Sequence, residues 1–130
     1  MEAYPITPCP KPRMTQRDKW AKRAAVLRYR AFCDECRARR VNLPADGAMV
    51  LFVLPMPPSW SKAKRDQLRG QPHTQKPDLD NLVKALNDAL REDDSGVHTM
   101  AARKIWGVRG EIRIREWNWG DPWPGGTDGN

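Results

Sequence analysis

The sequence predicts a single α+β domain over residues 1–116: a small mixed sheet of about four strands packed with two main helices. Three observations carry this. Two stretches repeat apolar residues at helical spacing, one continuous apolar run is bounded by Gly and Pro, and a segment near the C-terminal end alternates apolar with charged residues. A length of 130 residues suits one domain, and 39% hydrophobic content with a mean hydropathy of -0.78 predicts a lean core.

Taken in order, Tyr4 to Pro12 reads as an extended entry, since Pro5, Pro8, Pro10 and Pro12 lack the N–H that a central strand needs. An edge strand or a polyproline segment fits it. From Ala24 to Arg40, Ala25, Tyr29, Phe32 and Cys36 recur at helical spacing, with Arg23, Arg30 and Arg37 on the other side. That stripe is either a solvated face or a phosphate-contacting one. Asp46-Gly47 turns the chain into Ala48–Leu54, an unbroken apolar run ending at Pro55, which predicts a strand buried on both faces at the centre of the sheet. Met56 to Gln75 offers almost nothing to bury, so beyond one short turn capped by Ser61 it predicts a weakly ordered basic loop. Leu79, Leu82, Val83, Leu86 and Leu90 then share one face of a second helix ending near Glu92. Val97–Trp106 and Glu111–Glu116, joined by the turn Gly107–Gly110, predict a hairpin. The remainder, 117–130, is a Trp-, Gly- and Pro-rich tail expected to be flexible.

Charge is distributed unevenly. The net value is +7, but between Lys76 and Asp94 six acids (Asp78, Asp80, Asp88, Glu92, Asp93, Asp94) face three bases (Lys76, Lys84, Arg91). Outside that segment 20 bases oppose 10 acids, a body that attracts polyanions around one acidic spot. A metal ion reconciles the two. No window approaches a membrane span and the N-terminus lacks a signal peptide's apolar run, which argues against membrane and secreted classes. The odd cysteine count, Cys9, Cys33 and Cys36, fits a reducing compartment, so a cytoplasmic location is expected.

Candidate chemistry centres on Lys76-Pro77-Asp78-Leu79-Asp80-Asn81-Leu82-Val83-Lys84. Pro77 disfavours helix before it, which places Asp78 at the helix start, with Lys84 one turn beyond Asp80. Asp93-Asp94 follows the helix at a loop that a short domain can fold back toward its start. Converging carboxylates make a hard oxygen site suited to magnesium, and the reaction this suggests is metal-assisted phosphodiester hydrolysis, with Lys84 adding positive charge at the transition state. The competing explanation is plain capping, because Asp at a helix N-terminus is favourable by about 1 kcal/mol with no ligand at all. Spacing alone leaves both open. Cys33-x-x-Cys36 within a helix has no second pair and predicts no zinc, and an Asp-x-Asp that binds sugar nucleotides would need a doubly wound domain too long for this chain.

The run Lys76-Pro-Asp78-Leu-Asp80-Asn81-Leu-Val-Lys84-Ala-Leu-Asn-Asp88-Ala-Leu90, followed by Asp93-Asp94-Ser95, resembles the core signature of RusA-type Holliday junction resolvases. Pro10-Lys11-Pro12-Arg13, Pro58-Ser59-Trp60-Ser61-Lys62 and Lys104-Ile105-Trp106-Gly107 are similar to its phage-borne branch. The resemblance implies a homodimeric crossover junction endodeoxyribonuclease that resolves branched DNA by paired symmetric nicks. It further implies that Asp78, Asp80 and Asp94 bind magnesium, for which manganese is a chemical substitute, and that Lys84 is catalytic. Only Arg91-Glu92 separates Leu90 from Asp93, a shorter spacing than in the bacterial prototype, so Asp93 is the alternative third ligand. Asn87 stands where the prototype has an aromatic residue. The candidate DNA-contacting cations are Lys11, Arg13, Lys62, Lys64, Arg65, Arg69 and Lys76. The reading from a different class is a non-catalytic basic nucleic-acid-binding module whose carboxylates only cap a helix.

Overall fold

The protein is described here by a computed structural model covering residues 1–13, 23–93, 95–118 and 120–122. Its elements run β1 (Glu2–Tyr4), α1 (Ala24–Ala38), β2 (Ala48–Pro55), α2 (Lys62–Leu68), α3 (Leu79–Leu90), β3 (Met100–Gly107) and β4 (Glu111–Glu116). The strands form one mixed sheet in the order β1-β4-β2-β3. As its composition predicts, β2 is central, parallel to β3 on one side and antiparallel to β4 on the other.

Alternation along β2 sends Ala48, Val50, Phe52 and Leu54 to the core, where they meet Tyr29, Phe32, Cys33 and Cys36 of α1 and Leu82, Ala85, Leu86 and Ala89 of α3. Ile112 and Ile114 of β4 complete this layer. The two main helices therefore cover one sheet face, the α+β arrangement expected. In the register of the opposite face, Met49 and Leu51 align with Arg115, Arg113 and Arg103. Along α1, burial of Cys36 raises its thiol to a pKa of about 12, consistent with a packing residue rather than a thiolate ligand.

Three expectations are corrected. First, β3 and β4 are not a hairpin, because β2 lies between them. The short turn after Gly107 instead carries the chain around the end of β2, where Pro55 closes that strand. Alternation identifies a strand by its burial and says nothing about which neighbour it pairs with.

Second, residues 56–75 are not an open loop. Ser61 caps α2 through its Oγ, which accepts from Lys64 N at 3.2 Å, and Arg65 donates to the carbonyl of Pro57 at 3.1 Å. Residues 70–73 then run along the outer edge of β3: Gly70 N donates to Trp106 O at 2.8 Å, Trp106 N to Gln71 O at 3.0 Å, and His73 N to Lys104 O at 3.0 Å. The side chains that anchor this strap are aromatic. The ring centroids of Trp60 and Trp106 lie 4.7 Å apart and those of His73 and Trp106 4.0 Å, with Lys64 Nζ 4.3 Å over the Trp60 ring. Counting aliphatic residues alone missed this cluster.

Third, order extends past residue 116. Trp117 is 4% exposed, and its N–H donates to Gly47 O at 3.0 Å, one residue beyond the last rung of the β2–β4 ladder. Trp119 and Trp123 of that tail lie outside the described residues. At Gly47 a Cβ would stand 1.8 Å from Trp117 O, an approach only glycine permits. Gly47→Ala is expected to lower stability by about 2 kcal/mol, measured by urea denaturation followed through tryptophan fluorescence. An unchanged midpoint would show that the backbone there yields freely.

Candidate active site

Helix α3 opens where the sequence places it. Lys76-Pro77 enters the helix without helical backbone, and Asp78, with φ -68° and ψ 144°, is the N-cap residue. Its side chain makes no capping hydrogen bond. Instead Lys76 Nζ stands 3.0 Å from each Asp78 carboxylate oxygen, in an exposed pair. The hydrogen-bonded cap of the rival explanation is thus not made at Asp78, which leaves it only the helix dipole.

Asp80 lies in the first turn of α3 and is exposed, while Leu79 between the two aspartates packs against the core. Both carboxylates therefore stand outside the core at the same helix start. Lys84, one turn beyond Asp80, is also exposed, and among the described residues it makes no ion pair. The next carboxylate along that stripe, Asp88, is already engaged: it accepts from Lys11 Nζ at 2.6 Å, both side chains being 30% exposed. This contact ties the proline-rich entry to α3 and occupies Lys11, one of the predicted DNA contacts. Arg13 is exposed, and its carbonyl accepts from Arg23 at 2.9 Å.

Of the two candidates for a third carboxylate, Asp93 lies in an exposed turn whose carboxylate accepts from Ser95 N at 2.9 Å and from Ser95 Oγ at 3.0 Å. The Ser95 backbone bond, then the hydroxyl bond, hold the Asp93 carboxyl below its ordinary range. Asp94 lies outside the described residues. Among the described residues no three His, Cys, Asp or Glu side chains come together as a metal cluster. What they provide is the pair Asp78 and Asp80, and one or two carboxylates plus waters and substrate phosphate are a normal donor set for magnesium. The residues present fit such an ion.

The main chain just before this pair is held from β3. Lys104 of β3 sends its ammonium to the carbonyls of Gln75 and, at 2.7 Å, of Pro77, on both sides of Lys76. Nothing local to Lys104 signals this, because it depends on the register of β3 and on the path of the strap. His73, 5% exposed beneath the same strap, has an Nδ1 with no hydrogen-bond partner, and burial together with Lys104 depresses its pKa. His98 is hydrogen-bonded with Thr99 Oγ1 at 2.7 Å and lies 3.7 Å from Asp46.

The family model for the endodeoxyribonuclease RusA matches residues 4–115. The chain belongs to the RusA endodeoxyribonuclease family. Membership covers all seven strands and helices but the outermost residues of β1 and β4, and it makes the protein an endodeoxyribonuclease of a family that resolves Holliday junctions. RusA resolvases act on branched DNA and are generally dependent on a divalent metal. No curated protein and no solved structure gives a significant match. Among the described residues no helix is long and apolar enough to cross a membrane.

Proposed function

We propose that this RusA-family protein is a magnesium-dependent, structure-selective endonuclease that resolves four-way DNA junctions by paired symmetric nicks. The observation carrying this reading is Asp78: it occupies a cap position without a capping hydrogen bond, beside a second exposed carboxylate, Asp80, which lies one turn from Lys84, a lysine with no ion pair among the described residues. Asp78 and Asp80 hold the ion, with Asp94 as the third ligand and Asp93 as its alternative. A divalent ion bound there would supply charge to neutralise the scissile phosphate and to make a water more acidic. Lys84, on a rigid helical turn, places its ammonium against the phosphate as negative charge builds. Lys76, paired with Asp78 in the free protein, is poised to exchange that partner for a DNA phosphate. A homodimer supplies two identical sites to opposed strands of a two-fold symmetric junction.

Helix α2 supplies the contact to the DNA backbone. It buries no residue of its own, and with its flanks it exposes Lys62, Lys64 and Arg69, while Arg65 is half-buried against Pro57. Neutralising Lys62, Lys64 and Arg69 together is expected to reduce the log–log salt slope of junction binding by about 3, since each lost phosphate contact removes roughly one released counterion. An unchanged slope in fluorescence-anisotropy titrations would take α2 off the DNA.

The reading as a whole is tested by incubating the protein with a four-way junction and with linear duplex, each with magnesium and with chelator. Cleavage confined to the junction with magnesium is expected. Junction binding without cleavage would favour the non-catalytic module.

A further inference from the structure

We infer that Lys104 is a positioning residue for the metal-binding carboxylates, acting by fixing the strap that delivers Asp78. The inference rests on the proposed metal site and goes beyond it, since Lys104 lies 26 residues from Asp78, on a different element.

Parallel pairing sets Lys104 opposite Phe52, a core-facing residue of β2, so Lys104 emerges on the helix-bearing face. It does so on the strand at the sheet's margin, beside the start of α3. There its backbone and its side chain hold the same strap. The carbonyl of Lys104 accepts from His73 N, and its ammonium donates to the carbonyls of Gln75 and Pro77. With Trp106 pairing to Gly70 and Gln71, β3 holds residues 70–77 at five points. The last of these is the residue immediately before Asp78.

This anchoring matters because the Asp78 carbonyl is tied to α3 by Leu82 N at 3.2 Å, whereas among the described residues the Asp78 carboxylate has little restraint of its own. Its carboxylate makes no cap bond to α3, and its partner Lys76 has a side chain that is 85% exposed and so gives little restraint. The position of the Asp78 carboxylate relative to Asp80 is inherited from the path of the main chain through Pro77. Removing the fork of Lys104 frees two carbonyls and lets that path relax, which spoils the pairing of two ligands that must meet one ion. Groups of this kind, which orient the ligands without touching the ion, typically govern metal affinity by 10- to 100-fold.

The direction of the effect separates positioning from simple charge. Deleting a positive side chain near an acidic site strengthens cation binding if only electrostatics acts. Loss of positioning weakens it. Binding of Mn2+ to the full chain without DNA, read by electron paramagnetic resonance, is therefore the direct measurement. Wild type is expected to bind, and Lys104→Met to bind about tenfold more weakly while retaining its circular dichroism spectrum. Arg103→Met, a charge deletion one residue away on the opposite face of β3 with no hydrogen bond to the strap among the described residues, is expected to bind as wild type does. Should the Met variant not fold, Lys104→Gln, which keeps one shorter donor, decides the matter with an intermediate weakening. Affinity at or above wild type in the folded Lys104 variant overturns the inference and leaves the metal site standing. Absence of Mn2+ binding by wild type overturns the metal site itself, and the inference with it.

Discussion

Asp80→Asn is expected to abolish junction cleavage, by roughly a thousandfold or more, while metal-free junction binding stays unchanged or tightens. A thousandfold corresponds to about 4 kcal/mol of transition-state stabilisation, a reasonable share for one carboxylate of an ion-binding pair in phosphodiester hydrolysis. Tighter binding follows because the substitution removes a negative charge that repels phosphate. Asp80 is exposed in the first turn of α3, so its contribution to the fold is limited to its interaction with the helix dipole, worth up to about 1 kcal/mol. The two effects differ enough to be read apart. Single-turnover cleavage measures the first and thermal unfolding the second. A variant that loses only stability and cuts at the normal rate would return Asp80 to the role of a helix-start acid.

The second large effect is expected at Lys84. Lys84→Met retains the aliphatic stem and the helix propensity but removes the charge, and cleavage should fall by about a hundredfold with little change in magnesium requirement. Because Lys84 is exposed and makes no ion pair among the described residues, its loss leaves the fold intact. Lys84→Arg is expected to recover only part of the rate, since a planar guanidinium does not reproduce the compact ammonium. A rate loss that disappears at saturating DNA would assign Lys84 to substrate binding rather than to the chemical step.

The centre of the sheet and the start of α3 are legible in the sequence for local reasons. The apolar run between Gly47 and Pro55 marks the central strand, and β2 is paired on both edges, but burial on both faces holds only in part, since Met49 and Leu51 are half-buried on the face away from the helices. Pro77 sets the boundary of α3, which puts Asp78 at the cap. The residues that escaped are those whose roles depend on distant pairing. Trp60, His73 and Trp106 form one cluster only because the strap lies along β3, and Lys104 finds Pro77 only through that register. Lys11 carries the same lesson. As a cation in a proline-rich entry it suggests DNA, yet it is bonded to Asp88 on α3.

The outermost strand pair has a kinetic consequence. Residues 2–4 bond with residues 112–114, so β1 leaves the ribosome long before its partner β4 has been made. Such non-local pairing raises contact order and slows folding, because the chain closes a very long loop before the contact repays it. Ile112 and Ile114 also belong to the layer on which α3 rests. Although Asp78, Asp80 and Lys84 lie within a single stretch of sequence, the helix that carries them rests on β4 as well as on β2 and α1, so a chain truncated before β4 is expected to carry the proposed cutting residues on an incomplete platform.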